Sequence, residues 1–346
     1  MLLKLSTTRL TELFASISAD RALYLPIEKN GQVQCGRWAA DEKVCLDSLN
    51  TVKSAKDLFF PQSENLIAFK TQGKNISIID NRDQGEAFAI FGVRACDAAG
   101  FAVLDKVFLS EPVDTYYKKR RDNGVVITLA CGEPEETCFC STFGIDAVNP
   151  AGDISAWISD EMLYWKSLTE KGNALTDKVK DLFENTDASD EKKLDDYKEN
   201  AKRIIEKLPL KGLSLEGFGG EALNDKFSSP KWKELSDTCL GCGTCTFVCP
   251  TCQCYDIRDY DTGHGVQRFR CWDSCMYSDF TKMAHGNPRT SQLERFRQRF
   301  MHKLVYFPAN NDGTYACVGC GRCLAKCPVS MNIVKVAKTV GVKENV

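Results

Sequence analysis

The sequence predicts an α+β protein, with an N-terminal α/β domain containing a βαβ unit and a helical domain after it. Three observations predict it. Two short apolar runs, Ala87–Val93 and Val125–Ala130, have the length and the β-branched and aromatic content of buried strands. Between them Phe101, Leu104 and Phe108 recur at helical spacing. Towards the C-terminus the pattern Cys-x2-Cys-x2-Cys-x3-Cys-Pro occurs twice, at Cys239–Pro250 and at Cys317–Pro328.

The chain opens on MLLKLSTTRLTELFASISAD, which reads as an amphipathic first helix. It lacks the apolar core and small-residue cleavage site of a signal peptide. The strand, helix and strand over 87–130 make a right-handed crossover, with Asp97 as the candidate cap of the helix. Parallel strands end on the same sheet edge, where open α/β sheets bind their ligands. Cys96 and Cys131 follow the two strands and so fall side by side. This first domain takes in residues 1–165. Residues 166–230 read as a charged helical connector, because Asp177–Leu208 is charged, helix-prone and poor in large apolar residues. Its helices are expected to be solvated or part of a mobile linker. Gly217–Gly220 and Ser228–Pro230 then punctuate the approach to a third segment, residues 231–346. There Leu293, Phe296, Phe300 and Leu304 mark one face of a helix over Thr290–Leu304, with arginines on the rest. Met331–Lys338 is helical again.

Eighteen cysteines stand in the 346 residues, most of them at metal-ligand spacings unlike a disulfide framework. Three cysteines at three-residue spacing in a glycine-containing loop wrap three corners of one cubane. The fourth ligates the other cluster in two-cluster ferredoxins. That assigns Cys239, Cys242, Cys245 and Cys327 to one [4Fe–4S] cluster, and Cys317, Cys320, Cys323 and Cys249 to a second. Structural zinc also uses four thiolates, but its usual pattern is two separate CxxC pairs. The third segment therefore reads as an α-helical two-cluster ferredoxin domain, with helices between its motifs. Cys96, Cys131, Cys138 and Cys140 form a further set, read as the ligands of a third cluster. Buried packing thiols, zinc and a redox disulfide are the alternatives for that set. Cys252, Cys254, Cys271 and Cys275 lie between the motifs, and Cys271 and Cys275 have a spacing that fits one helical face. Packing round the clusters and a fourth cluster are the readings open for them. Cys35 and Cys45 read as packing residues.

Several classes are excluded. A net charge of −2 gives no reason to expect nucleic acid. The longest apolar stretch, Ala87–Leu104, is broken by Arg94, Cys96 and Asp97, so no membrane insertion is expected. There is no Walker loop and no dinucleotide fingerprint, so no nucleotide or flavin of its own is expected. A reducing cytoplasm suits the thiols. His264, His285 and His302 read as structural. Lys118–Arg121 reads as a solvated face, with partner docking as the alternative. Arg322, Lys326 and the arginines of 291–304 are expected to favour reduced clusters.

Phe91–Asp97, Leu104–Leu109, Cys138–Cys140, Cys249–Tyr255, Trp272–Cys275, His302–Lys303 and Cys317–Cys323 together resemble a known family. It comprises the dicluster electron-transfer subunits of cytoplasmic anaerobic oxidoreductases. The beta subunits of sulfhydrogenases and the A subunit of anaerobic sulfite reductase belong to it. Cys271 stands outside the family pattern. The resemblance implies a relay between a flavoprotein partner that oxidises NAD(P)H and a separate catalytic subunit. A self-sufficient reductase with an open iron at the N-terminal cysteine set is the rival reading, and a missing fourth ligand there would favour it. A structural metal-binding module is a third.

Overall fold

The computed structural model describes residues 2–80 and 85–341 of the chain; the last residues of the 231–346 segment lie outside them. The strands, in chain order, are β1 (Leu2–Ser6), β2 (Ala22–Lys29), β3 (Gln32–Arg37), β4 (Ser63–Gln72), β5 (Asn75–Asp80), β6 (Phe88–Val93), β7 (Gly124–Leu129), β8 (Ile154–Ser159), β9 (Met162–Ser167), β10 (Glu184–Asn185), β11 (Tyr255–Asp261) and β12 (Gly265–Trp272). They form two sheets, ordered β10-β1-β9-β8-β7-β6-β2-β3 and β11-β12-β4-β5.

In the larger sheet β2, β6, β7 and β8 run parallel. Every residue of β6 and β7 is buried, as parallel strands covered on both faces require. Alternate residues divide between the faces. Phe91 and Ile127 meet Leu13, Phe14 and Ile17 of α1 (Leu10–Ser18). Phe88, Ile90 and Val126 meet Phe101, Leu104 and Phe108 of α2 (Ala95–Phe108), and Tyr117 of α3 (Thr115–Asn123).

The segment expected to be a connector is folded onto this sheet. Its helices α4 (Glu170–Val179) and α5 (Ala188–Ile205) bury Leu175, Val179, Leu194 and Ala201. Those few apolar residues are spaced to fall on one face, so composition understated their packing. Asp187 and Asp190 form a capping box at the start of α5, and Lys4 Nζ donates to Asp190 at 2.7 Å. Residues 184–185 pair with β1, which carries the sheet past residue 165. The chain also opens on a strand, and a 3-10 turn over Thr7–Arg9 leads from it into α1 at Leu10.

The stretch between the two motifs is only partly helical. β11 and β12 form a hairpin, and β12 pairs with β4, so residues from both halves of the chain share the smaller sheet. This junction is clamped by charge. Glu64 of β4 is buried between Arg270 of β12 and Arg120 of α3, and Arg270 also binds Asp114. Three side chains of the Lys118–Arg121 run are ion-paired: Arg120 on Glu64, Arg121 on Asp105 at 3.0 Å and Lys118 on Asp122 at 2.6 Å.

The remaining helices are α6 (Leu223–Phe227), α7 (Lys231–Asp237), α8 (Thr244–Phe247), α9 (Gln292–Met301), α10 (Phe307–Asn310), α11 (Arg322–Ala325) and α12 (Ile333–Val340). Trp232, Phe296, Phe300, Leu304, Val336 and Val340 form their common core. A capping box of Ser291 and Glu294 starts α9, and a π-helical turn over His302–Tyr306 follows it.

Removing one partner of a buried ion pair leaves an uncompensated charge, at a cost of about 3–5 kcal/mol. Arg270→Met should therefore destabilise the protein by about 3–5 kcal/mol in urea unfolding, because it takes the cation from Asp114 and leaves buried Glu64 with Arg120 alone. A change below about 1 kcal/mol would show that the clamp is not a unit of stability.

Candidate iron–sulfur sites

Short loops and single turns of helix position the cysteines. In the first motif Gly243, at φ +74°, turns the chain into α8, so that Cys242 and Cys245 bracket the turn. In the second, Gly321 at φ +77° turns it into α11, between Cys320 and Cys323. The left-handed conformation at these two points is one that glycine adopts without steric cost.

Cys239, Cys242, Cys245 and Cys327 line one cavity, together with Arg299 and Met331. The thiol from the second motif thus joins the three from the first. Backbone N–H groups donate to these sulfurs, from Gly241 to Cys239 at 3.4 Å and from Met331 to Cys327 at 3.2 Å. We call this site 1. Cys242 is its exposed member, and the Thr244 hydroxyl holds its thiol below the usual range.

Cys317, Cys320 and Cys323 gather with Cys249 at site 2. Burial, reinforced by the fields of Cys320, Cys249 and Cys317, pushes the Cys323 thiol up. Burial, helped by the fields of Cys249 and Cys320, drives Cys317 up to about 12 against the pull of Lys303. Lys303 Nζ lies 3.4 Å from Cys249 Sγ and donates to Thr251 Oγ1 at 2.8 Å and to the Ala316 carbonyl at 2.9 Å.

Site 3 gathers Cys96 from the first turn of α2, Cys131 from just past β7, and Cys138 and Cys140 from the loop that follows. All four line one cavity, with no member of the set displaced from it. Ile205 and Leu208, at the end of the α5 segment, help to close it, and Cys320 of site 2 forms part of its wall. Burial pushes Cys138 and Cys140 up to about 12.

Two features bear on what these cavities can hold. Among the described residues, no group of three or more His, Cys, Asp or Glu side chains is placed to hold a single metal ion. Four thiols instead ring a space, as a polynuclear group needs and a lone zinc does not. The cavities also contain buried donors with no protein partner. Arg94 lines site 3 and Arg299 lines site 1, and the Nε of each is buried without an acceptor. Buried N–H groups almost always find a partner, and sulfide is one that a cluster would supply. The donor sets therefore fit iron–sulfur clusters.

Several side chains differ from expectation. Asp97 does not cap α2; Arg94 precedes the helix, and both Asp97 oxygens accept from Arg322 at 2.8 Å. The Arg322 charge is thus offset by a buried carboxylate instead of acting freely on the clusters. Lys326 is exposed. The arginines of α9 do not form one open face. Arg299 is 3% exposed, and against the lowering effect of that burial the neighbouring sulfurs, Cys245 and Cys323 first, raise it; Arg295 NH1 donates to the Arg289 and Thr290 carbonyls. His302 is packed edge-on to Phe307, and burial lowers it to about 4. His264 and His285 are exposed. Cys271 lies within β12 and Cys275 beyond it, not on a common helix. The buried cations Arg299 and Lys303 were legible only as helical spacing, i and i+4, at the end of a predicted helix.

Replacing Cys249 by Ser should disturb the cluster of the second motif and spare that of the first, while Cys327→Ser should do the reverse. Mössbauer and EPR spectra of the two variants test the crossing, and the opposite pattern would refute it. Arg299→Met should lower the site 1 midpoint potential. A hydrogen bond to a charged group is worth about 1.5–3 kcal/mol, which is about 60–130 mV for one electron. An EPR-monitored redox titration that finds the potential unmoved would show that Arg299 does not donate to the cluster.

A 4Fe-4S dicluster domain family matches residues 238–331. Sulfhydrogenase 2 subunit beta of Pyrococcus furiosus is 31% identical over 339 residues, covering 97% of each chain. No solved structure matches. Among the described residues no helix is long and apolar enough to cross a membrane. The chain is an iron–sulfur protein carrying [4Fe–4S] clusters, and it belongs to the family of dicluster electron-transfer subunits that includes the sulfhydrogenase beta subunit.

Proposed function

We propose that this subunit relays electrons between a flavoprotein that oxidises NAD(P)H and a separate catalytic oxidoreductase subunit. The relay runs through three [4Fe–4S] clusters, held at sites 3, 2 and 1, with no flavin or nucleotide of its own. One observation carries the reading: neighbouring sites share walls. Cys320 belongs to site 2 and lines site 3, and Arg299 lines site 1 and lies in the field of Cys249 and Cys323 of site 2. The cavities of sites 1 and 3 have no lining residue in common. Site 2 therefore stands between the other two.

A bound [4Fe–4S] cluster supplies reversible one-electron transfer, at a potential set by hydrogen bonds to sulfur, burial and nearby charge. The chain supplies those settings. Its thiolates would hold each cluster, the Nε atoms of Arg94 and Arg299 would donate to cluster sulfur, backbone N–H groups donate to the Cys239 and Cys327 sulfurs, and Arg299 and Lys303 place two buried positive charges between sites 1 and 2. Cys242, beside the exposed Leu240 and Val329, brings one end of the row to the surface. That end is where a partner cluster or flavin can approach. The full complement of four thiols at site 3 supports a carrier there over a self-sufficient reductase with an open iron.

Anaerobically prepared protein should hold about twelve irons per chain, three cubanes of four. Cys138→Ser and Cys140→Ser should each lower the count to about eight. A count of about eight that neither substitution changes would make site 3 a set of packing thiols. The isolated chain should exchange electrons with artificial dyes and turn over no substrate until partner subunits are added. Oxidation of NAD(P)H, uptake of hydrogen or reduction of sulfite at the rate of a whole complex would refute the relay.

A further inference from the structure

Four cysteines between the motifs belong to none of the three sets, and the structure separates them. Cys271 stands in β12 opposite Asp256, with Arg258 and Asp273 as its charged neighbours. Cys252 is in hydrogen-bonding contact with Cys249 of site 2. Cys254 and Cys275 are in contact with each other. The Cys275 thiol and the Cys275 N–H both donate to the Cys254 sulfur.

The pair is held by the backbone around it. The Asp273 N–H donates to the Cys254 carbonyl at 2.9 Å, which ties the two loops together. The Ser274 hydroxyl accepts from Thr246 Oγ1 at 2.8 Å and from the Met276 N–H at 3.2 Å. The Trp272 indole donates to the Phe60 carbonyl at 3.0 Å. Two buried lysines then face the pair. Lys56 Nζ donates to the Cys252 carbonyl at 2.7 Å, and Lys303 is the same side chain that reaches Cys249 Sγ at 3.4 Å. Both lie close enough to bias Cys254 towards its thiolate.

Apolar packing does not account for this arrangement. A sulfur that accepts two hydrogen bonds and is faced by two buried ammonium groups sits in the electropositive setting of reactive cysteines. Nor is it a single-ion site, since no three such ligands converge among the described residues. The hydrogen bond from Cys275, followed by the Cys275 N–H and the lysines, draws the Cys254 thiol down to about 7 against the opposing effect of burial.

We propose that Cys254 and Cys275 are a redox-active dithiol, coupled to the clusters as a two-electron store beside one-electron carriers. On oxidation the two S–H bonds break and one S–S bond forms. Two protons leave to solvent. Two electrons leave singly to two oxidised [4Fe–4S] clusters, entering at site 2, where Cys249 shares Lys303 with the pair. Reduction runs the same steps backwards, with the reduced clusters as electron donors. The inference rests on the cluster reading only for where the electrons go. Its function would be to match a two-electron donor such as NAD(P)H to carriers that take one electron each.

The test uses the fully clustered protein. Samples poised at stepped potentials without oxygen are quenched in acid, denatured, alkylated and mapped by mass spectrometry. Cys254 and Cys275 should be joined to each other at high potential and both alkylated at low potential. Reductive titration should take up two electrons per chain beyond those of the clusters. Cys254→Ser and Cys275→Ser should each lose those two electrons while keeping the iron content of the unsubstituted protein. Both thiols alkylated at every potential would overturn the proposal. So would loss of about four irons in either variant, which would make these cysteines ligands of a further cluster. The mapping needs no variant and so does not depend on one folding. Failure of the cluster reading would show separately, as a wrong iron count in the unsubstituted protein.

Discussion

Gly319 brings two cysteine loops together backbone to backbone, and the arrangement of the sites depends on that contact. It sits at φ +58°, and a Cβ there would lie 2.4 Å from the Phe139 carbonyl oxygen. Its own carbonyl accepts from the Phe139 N–H at 2.9 Å. Gly321 repeats the approach two residues later, against Thr137. Any side chain at these points must push apart the loop of site 2 and the loop that carries Cys138 and Cys140. Helix α2 braces the same junction. Cys96 in its first turn lines site 3, Asp97 holds Arg322 of the second motif, and Gly100 packs against Pro250 at the end of the first. One helix of the N-terminal sheet thereby sets the position of both cysteine motifs.

Electrostatics follow from how deeply the sulfurs are buried. A thiolate taken out of water is costly, and burial raises most of these thiols. The chain answers with cations that carry their own desolvation cost, offset only by anionic partners. Arg322 is matched by Asp97. Among the described residues Arg299 and Lys303 have no carboxylate partner, and they face sulfur instead. They stack one turn apart at the point where α9 passes into a π-helical turn, a feature found often at functional sites. The wider turn belongs to the segment that presents Lys303 to Cys249, Thr251 and Ala316 at once.

What the sequence made legible was local. The two CxxCxxCxxxCP runs announced their chemistry through spacing alone. The apolar runs at 87–93 and 125–130 coincide with β6 and β7, and the helical spacing of Phe101, Leu104 and Phe108 with α2. What it hid was pairing between distant residues. Nothing in Tyr255–Trp272 showed that this hairpin would take β4 and β5 as its partners, because the register depends on Glu64 and Arg270 meeting across the fold. Helix α5 looked solvated because Leu194 and Ala201 are a small fraction of a charged segment, although they suffice to seat it. The arginines of 291–304 were expected to act on the clusters as a group, but a helical wheel cannot show that Arg299 and Lys303 alone turn inward to sulfur. The contact between Cys254 and Cys275 was equally invisible, since it joins the end of one motif to the far side of the hairpin.

The proposed order of the sites puts site 2 between sites 1 and 3. Pulsed EPR of the fully reduced protein tests it through the dipolar coupling between paramagnetic clusters, which weakens steeply with distance. The account predicts strong coupling of the site 2 cluster to both others and the weakest coupling between sites 1 and 3. Three uncoupled spectra, or a site 1–site 3 coupling stronger than either coupling to site 2, would contradict it.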